Sequence, residues 1–412
     1  MGTLLLWVIH LLPVDRMRVH VYQSLSMLRE EFTDSLVIKG YEATLTGSFT
    51  DCLMLENTIY YNDAHSTFEQ AMMMYRKEIG EGEGWAPGTS LEAYLENLPM
   101  DKEVAYARYW HGYLVVLKPL LLLTNVQTLR LMSAMAENLL LCGVVGICIR
   151  KHKSGLGAAL AVSLMFTYVF VLYFSLSLSV CYYLVMAAIM VQLLRREKWK
   201  SQETFGIFFL IVGMCTAYFD LLTYPLVTLG FPLGIEIYCS EDDWKEQCKK
   251  MIRYILYWFV GYAGLWGLKW VITDVLLGAE TIGDALMTVG ERTNIVSGQT
   301  FWLGYMDVVK KNLSYFFNIP FSLAVITFVI WELFVVRKRT FKKGKKVSLS
   351  PKLKNHLFSC CFLAALPFVW YMAAQNHSAE HSVYTCKIIS VSVFSLFVFV
   401  AGGKTDVFTA GR

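Results

Sequence analysis

The chain has 412 residues, enough for two or three ordinary domains, yet 56% are hydrophobic and 15% aromatic, and only 17% are charged, against about 25% in soluble domains. This composition and a mean hydropathy of +0.45 exclude a disordered chain, a nucleic-acid-binding domain and an ordinary cytosolic enzyme, while the formal net charge of +4 says little until the charges are located. Composition and hydropathy indicate an all-α, polytopic membrane protein.

A helix needs about 20 apolar residues to cross a bilayer. The first run, Leu4 to Leu12, is too short. It lacks the basic start and small-residue cleavage site of a signal peptide, so 1–13 reads as a first transmembrane helix, truncated at its start. Residues 14–126 read as a large extracytoplasmic loop with juxtamembrane helices. Its stretch 14–112 holds 16 acidic and 8 basic residues. Amphipathic segments at Met17–Phe32 and His65–Ile79 predict helices lying on the outer leaflet, and the turn-rich Gly80–Gly88 follows them as a break. The run 113–124, broken by Lys118-Pro119, predicts a helix that dips into the membrane.

Further runs at 127–149, 156–175, 177–194, 204–222, 224–240, 254–277, 318–336, 355–374 and 383–402 bring the expected count to about ten spans. They divide into transmembrane helices at 127–277 and C-terminal ones at 318–412, with a second extracytoplasmic loop at 278–317. The segments 150–154, 195–200, 241–253 and 337–354 carry 20 of the 37 basic residues. All four fall on one side if each run crosses once, and the excess of Lys and Arg makes that side cytoplasmic. No internal repeat is visible, which argues against a repeat-built transporter. The ten cysteines include no CxxC pair and lie mostly in apolar runs, so they read as buried small residues rather than as a metal or redox site.

Ionisable residues inside a membrane are candidate functional groups. Asp220 stands in Thr216-Ala-Tyr-Phe-Asp-Leu-Leu-Thr-Tyr-Pro225, where Thr216, Asp220 and Thr223 would share a helix face. Lys269 lies about 22 Å along its helix from Tyr254. Each is either a functional group or half of a structural ion pair, conceivably with the other. In Asn376-His-Ser-Ala-Glu-His381, His377 and His381 have the spacing for one helix face. Without an HExxH pattern no metal site is assigned, and hydrogen bonding or phosphate contact is the better reading. Lys387 and Arg108 are either interfacial anchors or ligand contacts. Asp51, in Phe49-Thr-Asp-Cys-Leu-Met-Leu55, is either a helix cap or a catalytic carboxylate. Asp15 directly follows the first helix, and the stretch Tyr106–Tyr113 places Arg108 and His111 among aromatic residues at the membrane entrance.

The predicted topology brings Asp15, Asp51, Arg108, His111, Asp220, Lys269, His377 and His381 to one membrane face. There, carboxylates would activate an acceptor hydroxyl while Lys, Arg and His bind a leaving phosphate. Leu12-Pro-Val-Asp-Arg-Met17, Phe49–Leu55, Arg108-Tyr-Trp-His-Gly-Tyr113, Phe219-Asp-Leu-Leu-Thr-Tyr-Pro225 and Asn376-His-Ser…His381 resemble a poorly characterised family of bacterial multi-pass membrane proteins. In layout that family is similar to the GT-C-type glycosyltransferases that use polyprenyl-phosphate sugars. The resemblance implies a bacterial cytoplasmic-membrane enzyme. It would move a sugar from a polyprenyl-phosphate donor to a cell-envelope glycan or lipid on the outer face, with membrane lipids as partners. It also implies Asp51 as the catalytic carboxylate, Asp15 second, and the lipid-phosphate role among Arg108, Lys269, His377 and Lys387. The GT-C acidic motif follows the first span closely, whereas Asp51 lies almost forty residues later. The rival readings are a transporter or flippase of envelope precursors using Asp220 and Lys269, and a non-catalytic assembly component.

Overall fold

The structure, a computed structural model, describes residues 1–32, 35–79, 86–100, 102–165, 169–199, 201–317 and 351–409, with isolated positions between 319 and 330. The predicted span 318–336, most of the basic segment 337–354 and the centre of the Gly80–Gly88 break lie outside the described residues. Residues 1–125 form helices α1 (Gly2–His10), α2 (Asp15–Tyr22), α3 (Leu25–Glu31), α4 (Ser48–Ile59), α5 (Thr67–Met73), α6 (Pro87–Leu95) and α7 (Leu114–Leu123), with an antiparallel strand pair, β1 (Arg76–Glu78) and β2 (Lys102–Val104). The remainder is helical: α8 (Val126–Arg150), α9 (Ser154–Met165), α10 (Val169–Leu172), α11 (Leu176–Arg195), α12 (Gln202–Phe219), α13 (Leu226–Cys239), α14 (Trp244–Leu277), α15 (Thr281–Thr293), α16 (Phe301–Phe316), α17 (Pro351–Ala373), α18 (Gln375–Glu380), α19 (Ser382–Thr385) and α20 (Ser390–Thr409).

The molecule has the architecture of a helical, polytopic membrane protein, but the count of ten spans is corrected. Among the described residues six helical runs are long and apolar enough to cross: Val126–Arg150, Leu176–Lys198, Gln202–Phe219, Trp244–Leu277, Lys354–Ala373 and Ser382–Gly402. Within the predicted span 156–175 the described helices are the 12 residues of α9 and the 4 residues of α10, and 224–240 yields the 14 residues of α13. At 1.5 Å per residue α13 is about 21 Å long, short of a hydrocarbon core about 30 Å thick. Leu226 through Ile237 are all buried, Glu236 included, and α13 packs against α11, α17 and α20. A wholly buried core helix and a lipid-facing span have the same apolar composition, so hydropathy alone counts both.

Among the described residues α12 and α14 form the most extensive helix–helix contact, and two glycines permit it. A Cβ on Gly213 would sit 2.1 Å from the Trp258 carbonyl oxygen, and one on Gly261 would sit 2.2 Å from that of Leu210. Small residues at such a crossing let backbones approach where lipid supplies no hydrophobic drive for association.

The expectation of flat surface helices in 14–112 is also corrected. Helices α2 and α3 bury Met17, Val21, Leu25 and Leu28, which share a core with Cys52, Met54, Leu55 and Ile59 of α4 and with Leu114, Leu117 and Leu121 of α7. Their apolar faces are spent on one another rather than held for lipid. The result is a packed module with α4 nearly wholly buried. The second amphipathic stretch ends its helix at Met73 and continues as strand β1.

Candidate functional site

Buried charged groups sew this module to the membrane helices. Asp51, in the first turn of α4, is fully buried. It accepts the backbone N–H groups of Leu176 at 2.7 Å and Ser177 at 2.8 Å and the hydroxyl of Ser175 at 3.2 Å. Asp51 therefore caps the start of α11, where unpaired N–H groups and the positive end of the helix dipole favour a carboxylate. Arg130 of α8 lies 3.7 Å from Asp51 and 2.7 Å from Glu31.

Three lysines donate to backbone carbonyls, two across the seam and Lys118 within the module. Lys269 of α14 donates to the Met72 carbonyl at 2.6 Å and lies 5.6 Å from the Trp110 ring centroid. Lys118 of α7 donates to the Thr58 carbonyl at 2.7 Å, and Lys387 to the Val383 carbonyl at 2.9 Å and that of Ala43 at 3.3 Å. Met72 and Thr58 lie in the last turns of α5 and α4, whose carbonyls have no partner within the helix. All three lysines are buried, and among the described residues none forms an ion pair. Asp220 and Lys269 do not pair either. Asp220 leaves the helix as the C-cap of α12, and its oxygens accept the Thr223 hydroxyl at 2.5 Å and backbone N–H at 3.1 Å. Thr216 instead bonds Thr228 at 2.8 Å, so the shared helix face expected for Thr216, Asp220 and Thr223 is not formed.

Near Asp220 lies a second group of residues. Arg292, in the last turn of α15, holds His377 Nδ1 at 2.8 Å. A guanidinium only donates, so Nδ1 accepts; the ring proton sits on Nε2, which donates to the Leu222 carbonyl at 3.2 Å. Burial first and the Arg292 charge second hold His377 well below the ordinary histidine pKa, so it is neutral. The His381 ring lies tilted against that of His377, centroids 4.7 Å apart; its pKa is lowered by the same two causes, and its imidazole makes no hydrogen bond among the described residues. Arg108 pairs with Asp284 at 3.1 Å and lies over the rings of Tyr106 and Tyr109. Tyr109 is within electrostatic range of Arg292, Arg108 and Asp220. Tyr262 is within electrostatic range of Asp220, Tyr109 and Arg292, and among the described residues its buried hydroxyl has no hydrogen-bond partner.

His111 is buried, contacts the Tyr113 hydroxyl at 3.1 Å and the Tyr106 carbonyl at 2.9 Å, and is pushed down to about 3 by burial. Asp15 is exposed at the start of α2, without an ion pair among the described residues. Of the residues singled out from sequence, the structure thus gathers Arg108, Asp220, His377 and His381. It places Asp51, Lys269 and Lys387 in the seams of the module.

Sequence reasoning missed Arg292 and Glu137. No local pattern marks Arg292, one of three basic residues in 278–317. Glu137 stood in plain sight as a lone carboxylate in α8. It is fully buried, accepts from Ser133 at 3.1 Å through one oxygen and, among the described residues, leaves the other without a hydrogen-bond partner.

An apolar groove of about 530 Å³ opens beside these elements. Its walls come from α7 (Val116, Leu120), α8 (Met132, Ala136), α11 (Val180, Ala187) and Phe219, with Met54 and Tyr113 of the module. Val116 and Met132 are about half exposed, so the groove is open to the outside of the protein along these apolar walls. At one boundary Leu176 lines the groove while its N–H holds Asp51. At another, Phe219 directly precedes Asp220 and the loop to which His377 bonds. Comparison of the chain with protein-family models, with curated proteins and with solved structures finds no match.

Proposed function

We propose that the protein is a membrane glycosyltransferase. It moves a sugar from a polyprenyl-phosphate donor to a cell-envelope glycan or lipid on the face that bears residues 14–125, which this reading takes as the outer face. The observation that carries this reading is the apolar groove. An isoprenoid chain needs an apolar channel open to the bilayer, and its phosphate needs cations at the channel's end. The groove adjoins, through Phe219, the loop on which His377 and Arg292 are mounted.

The geometry reorders the carboxylates. All the near donors around Asp51 are committed to the start of α11. Asp15 is exposed and unpaired, and it begins the helix that packs on α7, a wall of the groove. Asp15 is therefore the better group to take the acceptor's proton, a role worth about 10²- to 10⁴-fold in rate.

The test is sugar transfer by the purified chain from a defined polyprenyl-phosphate sugar. Asp15→Asn is expected to lower turnover by about that factor without altering donor binding. Wild-type protein that turns over no such donor would return the question to the flippase and assembly readings. The flippase reading loses the Asp220–Lys269 pair, since each is bonded elsewhere, but keeps Glu137, a carboxylate without a cation inside a span.

A further inference from the structure

The geometry points to an anion site built by Arg292, His377 and His381, whose ligand is a phosphate group.

Three observations meet there. First, Arg292 carries its charge in a half-buried position with no carboxylate partner among the described residues. Its near neighbour Arg108 shows the contrast, being neutralised by Asp284 at 3.1 Å. Second, the group that holds Arg292 is a neutral histidine locked in one tautomer. Nδ1 accepts from the guanidinium and Nε2 donates to Leu222. Such a contact orients a guanidinium without cancelling its charge, leaving its other N–H groups free to form the two-pronged bond that suits a phosphate. Third, two uncommitted polar groups stand around it. Among the described residues the imidazole of His381 has no hydrogen bond, and the Tyr262 hydroxyl is buried, within range of the Arg292 charge and without a hydrogen-bond partner. A buried donor left without a partner is costly, and an anion held between Arg292 and Tyr262 would supply one.

The support beneath is rigid. The Asn376 N–H bonds the Asn294 carbonyl at 3.2 Å, tying α18 to the residue that ends α15. Asn312 of α16 donates to the Ser378 carbonyl at 3.0 Å. The Asn376-His-Ser stretch is thus clamped from two sides, which fixes His377 and, through it, Arg292. His377 is a positioning residue, and Arg292 and His381 would touch the ligand.

One chemistry has two possible sources here, a free phosphate or the phosphate of a lipid-linked donor. The second source rests on the lipid-linked reading above; the site itself does not.

The experiment measures binding of inorganic phosphate and of a short-chain isoprenyl monophosphate to the full chain in detergent. Arg292→Gln is expected to weaken the phosphate ligand by about 10- to 100-fold, the range for hydrogen bonds to charged groups. Arg292→Lys, which keeps the charge and the fold but lacks the fork, should fall between. His377→Gln, able to accept from Arg292 and donate to Leu222, should bind better than His377→Leu. Equal binding of both probes, lost in Arg292→Gln, assigns the site to free phosphate. Binding of the isoprenyl monophosphate alone, lost in Arg292→Gln, assigns it to a lipid headgroup. Isoprenyl monophosphate binding that survives Ala187→Trp in the groove but not Arg292→Gln would sink the groove reading and leave this site standing. Unchanged binding in both Arg292 variants, or no binding of either probe by wild type, overturns the inference.

Discussion

Asp51 and Ser177 are 126 positions apart, yet the carboxylate of one receives the backbone N–H of the other at 2.8 Å. With Leu176 and Ser175 on the same carboxylate, this contact makes the start of a membrane helix dependent on a residue of the N-terminal module. Asparagine offers one acceptor oxygen in place of two, and its NH₂ group would face an N–H donor or Arg130. Asp51→Asn is therefore expected to destabilise the fold by about 1–3 kcal/mol. Thermal unfolding in detergent checks this. An unchanged melting temperature would mean that the cap contributes little.

Lys269 anchors α5 through the Met72 carbonyl. Replacing it with Met removes the donor and leaves that carbonyl buried without it. Amide exchange over 67–75 is expected to speed up by about 5- to 30-fold, equivalent to about 1–2 kcal/mol of local opening free energy, while α11 keeps its protection. Lys118→Met should act in the same way on the end of α4.

Glu56 gives a pH dependence of definite sign. It is fully buried in α4, accepts only the Lys77 N–H at 3.2 Å, and leaves its second oxygen unpaired. Burial pushes its carboxyl up from 4.5 to about 8, against the opposing charge of Arg76. The folded state thus holds a proton that the unfolded chain has released. Glu56 therefore lowers stability progressively as pH rises from 4.5 to about 8, with no further loss above that. Glu56→Gln should flatten that part of the stability profile and make the protein more stable at pH 8. A slope retained in the variant would assign the titration to another group.

The glycine crossing of α12 and α14 offers a steric test. Gly213→Val would drive a branched side chain into the Trp258 carbonyl, since a Cβ alone already stands 2.1 Å from it. Overpacking typically costs about 1–3 kcal/mol, so reduced yield of monodisperse protein and a lower melting temperature are expected. Gly264→Val, where a Cβ meets nothing within 4 Å, is the control.

Particular residues show what could be read from the sequence. The all-α, membrane-spanning class was legible because apolar composition follows directly from burial in lipid or in a helix bundle. Span count was not, because α13 buries its apolar residues against protein and carries the same signal as a lipid-facing helix. Asp51 was visible as a possible cap, but its partner helix begins 125 residues later, at Leu176, and no local pattern encodes that. Lys269 stood out as an ion in a span, yet its partner is a backbone carbonyl, and every residue has one. The pairing of Arg292 with His377 joins residues 85 apart. The histidine was singled out; the arginine, on an exposed helix end, looked like an ordinary surface charge.

The central claim is that the groove lined by Met54, Val116, Met132 and Ala187 holds the chain of a polyprenyl-phosphate donor. A photoreactive polyprenyl-phosphate sugar, added to the purified protein in nanodiscs and mapped by peptide mass spectrometry, tests it directly. The account predicts crosslinks to α7, α8 and α11 around Val116, Met132 and Ala187, suppressed by unlabelled polyprenyl phosphate and by Ala187→Trp. Crosslinks spread evenly over the lipid-facing sides of α14 and α17, unaffected by Ala187→Trp, would contradict it.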